Sequence, residues 1–136
     1  MIVSYVIWSL VSGILFGVMD GLLNGNPLGA RLMAVYKPIS RSTINVPAGV
    51  LIDLLYGFIM AGIFLLLYPA LPGASGALKG LSFGLVAWFF RVLMNAASQW
   101  IMFKVPVSTL LYSLAGGMLE MLVIGLLYGL VLPAVP

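Results

Sequence analysis

VPAGVLIDLLYGFIMAGIFLLLY, residues 46–68, carries one charge, Asp53, and is followed at once by Pro69. About 20 consecutive apolar residues suffice to cross the ~30 Å hydrocarbon core of a bilayer as a helix. Pro47 is tolerated because a first helical turn needs no intrahelical donor there. Three further stretches read the same way. Helix 1 is expected from Ile2 to about Leu23, ending at the turn-forming Asn24-Gly25-Asn26-Pro27. Helix 3 is expected from about Leu78 to Phe103, with Arg91 near its middle, and helix 4 from about Val107 to Leu132, with Glu120 near its middle. Between helices 1 and 2, residues 28–45 carry Arg31, Lys37 and Arg41 and are interrupted by Pro38. That pattern suits a short interfacial helix followed by an extended connection. Pro69 to Ala77, with two prolines and two glycines, reads as a tight turn at the opposite face.

The composition agrees with the spans. The chain has 136 residues, 63% hydrophobic and 7% charged, with mean hydropathy +1.23, whereas soluble domains carry roughly 25% charged residues. The expected fold is an all-α integral membrane protein with four transmembrane helices in a single membrane domain, residues 1–136. No Lys or Arg precedes the first apolar run and no small-residue cleavage site stands out, so that run is read as an uncleaved span rather than a secretory signal. Arg31, Lys37, Arg41 and Lys104 flank one face and Lys79 stands alone at the other. The positive-inside rule therefore puts the 1–2 and 3–4 connections in the cytoplasm and both termini on the outer side of a cell membrane.

The chain also matches itself at an offset of 67 residues. Gly13 falls on Gly80, Phe16 on Phe83, Gly17 on Gly84, Tyr36-Lys37 on Phe103-Lys104, Ala48-Gly49 on Ala115-Gly116, Asp53 on Glu120, Gly62 on Gly129 and Pro69 on Pro136. A carboxylate on a carboxylate and a lysine on a lysine weigh heavily where both are scarce. The expectation is two tandem helical hairpins, about 2–69 and 70–136, related by a pseudo-twofold axis along the membrane normal. The halves differ in charge: Asp20 falls on Ala87 and Arg91 on Asn24.

Two patterns single out residues. Ser9, Gly13, Gly17, Gly21, Gly25 and Gly29 recur at strict intervals of four. Helix 3 has Gly80 and Gly84, and helix 4 has Gly117, Gly125 and Gly129. Small residues let backbones approach closely and gain dispersion contacts that lipid tails do not supply, so these glycines are expected as helix-packing seams. The second pattern is one ionisable group on the small or polar face of each helix, at about 100° per residue. Asp20 lines up with Gly13, Gly17 and Asn24, and Arg91 with Gly80, Gly84, Asn95 and Ser98. Asp53 lines up with Gly49 and Gly57, and Glu120 with Ser113 and Gly116. A charge turned to lipid at mid-bilayer costs at least about 2.5 kcal/mol, so these faces are expected to converge. Arg91 holds its proton and needs an acceptor; Glu120 is the expected partner, with Asp53 second. Asp20, Asn24, Asp53, Arg91, Asn95, Ser98 and Glu120 form the expected polar cluster.

Without Cys or His, thiolate and imidazole chemistry and the usual zinc, haem and iron–sulfur ligands are excluded. No Ser-x-x-Lys and no phosphate-cradling loop appears, so neither catalysis nor a metal or other cofactor is expected. Net charge +3 from six dispersed basic residues does not make a nucleic-acid surface. Arg31, Lys37, Arg41 and Lys104 are expected at lipid head groups. The leading expectation is a non-catalytic membrane subunit or scaffold that packs on itself or on other membrane proteins through its glycine faces. The competing one is a homo-oligomeric pathway for a small solute, ion or proton, lined by the intramembrane carboxylates and Arg91.

Overall fold

The computed structural model describes residues 1–132, and the Pro69–Pro136 match lies in part outside them. Among the described residues six α-helices follow one another: α1 (Ile2–Gly25), α2 (Pro27–Leu32), α3 (Val46–Leu67), α4 (Gly76–Trp88), α5 (Met94–Met102) and α6 (Val107–Val131). Three-residue-per-turn segments extend α2 over Met33–Ile39 and α3 over Tyr68–Ala70. A widened π turn, Phe89–Leu93, joins α4 to α5 into one continuous rod. Four helical rods, Ile2–Gly25, Val46–Ala70, Gly76–Met102 and Val107–Val131, are long and apolar enough to cross a membrane. There is no strand among the described residues.

The helix ends follow local chemistry. Asn26 stops α1 and starts α2: its side-chain oxygen accepts from the Gly29 N–H at 2.9 Å, with Pro27 at the first helical position. Asn45 caps α3 and Ser75 caps α4 in the same manner. Gly73, at φ 137°, makes the turn between Pro69 and Gly76 in a region that side-chain-bearing residues rarely adopt.

Each hairpin closes on itself, α1 against α3 and α4 against α6, and the hairpins meet chiefly along α1 and α6. The seams are backbone on backbone. A Cβ at Gly80 would run into the carbonyl oxygen of Gly125, one at Gly125 into that of Gly80, and one at Gly57 into that of Ser9. In the second hairpin Gly84 faces Met121 and Leu122. In the first, Gly13 faces Asp53 and Leu54. Sliding by 67 residues carries Gly13 to Gly80 and Leu54 to Met121, so the two hairpins pack about one helical turn out of register.

Within this bundle the α1 glycine series is used only in part. A Cβ added at Gly21, as at Gly25, would meet nothing within 4 Å among the described residues, so the series on α1 is a seam only in its first half. Gly29 belongs to α2, beyond the break, and packs under the Leu23 carbonyl and Tyr112. An interval of four holds one face only while the helix continues, and Asn26-Pro27 ends it.

The dry core fills the half of the bundle nearer Ser75. Phe64, Phe83 and Tyr128 stack with ring centroids 5.4–6.2 Å apart, and Phe64 and Tyr128 are fully buried with Ala61 and Ile124. The Tyr128 hydroxyl donates to Ser12 Oγ at 2.8 Å, and Ser12 donates to the Ser9 carbonyl. Ser9 Oγ is buried without a partner among the described residues.

Candidate functional site: a polar cavity between the hairpins

The half of the bundle nearer Arg31 and Lys104 is not closed in this way. A cavity of about 360 Å³ lies between the hairpins, lined by Asp20 and Asn24 of α1, Tyr56 of α3, Arg91 of the π turn, Asn95 of α5, and Tyr112, Ser113 and Glu120 of α6. On the side of the core its floor is Tyr56, whose ring packs beside that of Phe16.

Arg91 is the centre of the arrangement. Its Nη1 stands 3.4 Å from Glu120 Oε1, the one ion pair among the described residues, with the Arg91 side chain 30% exposed and that of Glu120 4%. The guanidinium also lies over the rings of Phe16 and Tyr56, at 5.3 and 5.1 Å from their centroids. Its delocalised, weakly hydrated cation tolerates the apolar floor because the aromatic faces present negative charge to it. Asp20 faces Glu120 within the same cavity and has no basic partner among the described residues. One guanidinium and two facing carboxyl groups give the lining one more acid than it has bases.

The π turn is the feature that sequence reasoning missed. Such turns absorb one extra residue and concentrate at functional sites. Nothing in Phe89-Phe90-Arg91-Val92-Leu93 announces one, apart from the charge. Its effect is visible downstream: residues after it no longer sit at 100° steps from Gly84. Asn95 borders both this cavity and a second cleft nearer the basic end, while Ser98, one turn further along α5, lines only that cleft, beside Tyr36 and Gln99.

Asp53 also departs from expectation. Its carboxylate fills the space beside Gly17, where a Cβ would come within 2.9 Å of Oδ2. It lines an outward groove with Gly13, Gly21 and Gly49, not the Arg91 cavity. Asp20 and Asn24 border both. No group of three His, Cys, Asp or Glu side chains among the described residues is placed to hold a metal ion.

Tyr112 holds the mouth. Its hydroxyl donates to the Leu23 carbonyl and accepts from Asn26 Nδ2 at 2.9 Å, while Thr109 Oγ1 donates to the Leu32 carbonyl at 2.7 Å. The α1–α2 corner is thereby fixed to α6, and Met33 is held at the cavity wall. Arg31, Lys37, Arg41 and Lys104 are all exposed around this end. Comparison with protein-family models, with curated proteins and with solved structures finds no match.

Proposed function

We propose that the protein spans a cell membrane and binds a small cation, or a proton, in the cavity between its hairpins, as part of a transport pathway. The observation that carries this reading is that Arg91 and Glu120 border an open polar cavity in which Asp20 adds a second carboxylate without a second base. The pair is not sealed off: the Arg91 side chain is 30% exposed and reaches the cavity, so its charge is available to a solute there. The glycine seams close each hairpin internally, and the cavity lies at the boundary between the hairpins, which supports a hydrated site there. Cation entry would come from the basic end, and the Phe64–Phe83–Tyr128 stack closes the other. Passage then requires the two hairpins to part at that stack, each moving as a unit. On this reading the hairpins derive from one duplicated unit, the basic end is cytoplasmic, both termini are outside, and no step of covalent catalysis is involved.

The scaffold reading keeps one specific support. Gly21 and Gly49, on the outward groove between α1 and α3, pack against nothing among the described residues, which suits a second copy or another membrane protein at that face. The two readings are compatible in a homo-oligomer.

Reconstitution into liposomes with a pH-sensitive dye and a panel of cation gradients tests the pathway. Wild-type flux, lost at least about tenfold in both Asp20→Asn and Glu120→Gln while each variant remains folded, is the expected result, since each removes charge that the cation would meet. Flux equal to wild type in both variants would overturn the assignment. Zero flux together with a stable partner recovered through Gly21→Cys crosslinking would favour the scaffold.

A further inference from the structure

A second cleft, about 430 Å³, opens at the basic end between the Met33–Ile39 segment and α5. Its walls are amphiphilic. Ile39, Met102 and Phe103 supply the apolar side, and Ser98, Gln99 and Lys104 supply hydrogen-bond donors. Tyr36 closes the back by donating to Gln99 Oε1, which commits the acceptor end of that amide and leaves its NH₂ without a protein partner among the described residues. Lys104 has no ion pair there either. The chain's three carboxylates do not line this cleft: Asp20 and Glu120 line the central cavity, and Asp53 the outward groove. The cleft therefore pairs a donor-rich, cationic rim with an apolar wall and has no internal counter-charge.

We propose that this cleft is a binding site for one anionic phospholipid, its phosphate held by Lys104 and the Gln99 amide and its upper acyl chain lying along Ile39 and Met102. An ammonium near a membrane surface attracts an anionic lipid, and the apolar wall distinguishes a lipid from a free anion. Neither Lys104 nor Gln99 lines the central cavity, and Asn95 is the one residue that borders both spaces.

The test is native mass spectrometry of the full chain released from nanodiscs of equal phosphatidylglycerol and phosphatidylcholine. Wild type should retain phosphatidylglycerol over phosphatidylcholine by about fivefold, the preference expected of one basic side chain at a lipid surface. Lys104→Gln should bring the ratio close to one, and Ser98→Leu, which fills the cleft, should lower retention of both lipids. The pair Arg31→Gln and Arg41→Gln, on the same face but outside the cleft, should leave the ratio high. Equal retention by wild type, or a preference that survives Lys104→Gln and follows Arg31 and Arg41 instead, would overturn the site in favour of general surface attraction. Ser98→Leu with unchanged retention would equally reject it.

Discussion

Arg91 and Glu120 set the chemistry of the whole bundle, and their pairing is the part of the site most legible in the sequence. A mid-span guanidinium cannot shed its proton, and Glu120 lies at the same depth on an adjacent rod. What the residues do not announce is that Asp53, the other carboxylate at that depth, turns into the gap beside Gly17 instead. Side-chain direction at one helix crossing decides this, and no periodicity encodes it. Arg91→Ala leaves Glu120 buried without its partner, and because Arg91 is itself partly exposed the cost should be near the lower end of the usual range, about 3 kcal/mol. Adding Glu120→Gln should recover part of it. Thermal unfolding in detergent checks both, and a single variant as stable as wild type would show that the pair contributes nothing. Tyr112→Phe is a milder case: it removes the hydroxyl shared by Leu23 and Asn26 and should cost about 1–2 kcal/mol in the same assay.

Among the elements, the four rods are readable from length, hydropathy and punctuation, and their ends fall within a few residues of Pro47, Asn26 and Pro69, as the local chemistry requires. The π turn is not. Widening one turn leaves composition unchanged, and it shows only in the backbone of Phe89–Leu93. Glycine spacing is half informative: it marks where a backbone can approach, not whether one does. Gly80 and Gly21 separate these cases. Gly80→Ala forces a Cβ into the Gly125 carbonyl and should destabilise by about 1–3 kcal/mol through overpacking. Gly21→Ala meets nothing among the described residues and should leave the monomer's melting temperature unchanged or slightly raised. Equal losses at the two positions would mean that Gly21 is already packed against a second molecule.

Across the whole molecule, the hairpins are tight units joined by a dry aromatic stack at one end and a polar cavity at the other. The polar faces are written in the residue pattern; their separation is not, because whether two faces touch or stand apart depends on the register of helices far apart in the chain. The opposed charge counts at the two ends predict that Ser40→Cys labels from the cytoplasmic side and Ser75→Cys from outside, in a chain with no native cysteine. Impermeant maleimide applied to sealed, oriented vesicles reads this directly, and the reverse pattern would invert the topology. If the cavity is a cation site, water and cations reach Arg91 and Glu120 from the basic end while the aromatic half stays closed. Cysteine at Ser113, on the cavity wall, and at Ser12, buried beside Tyr128, tests this with charged methanethiosulfonates. Ser113→Cys should react from the Ser40 side, faster with the cationic reagent than with the anionic one, while Ser12→Cys stays unreactive. A folded Ser113→Cys variant that neither reagent modifies from either side would show the site to be dry and contradict the cation-binding role.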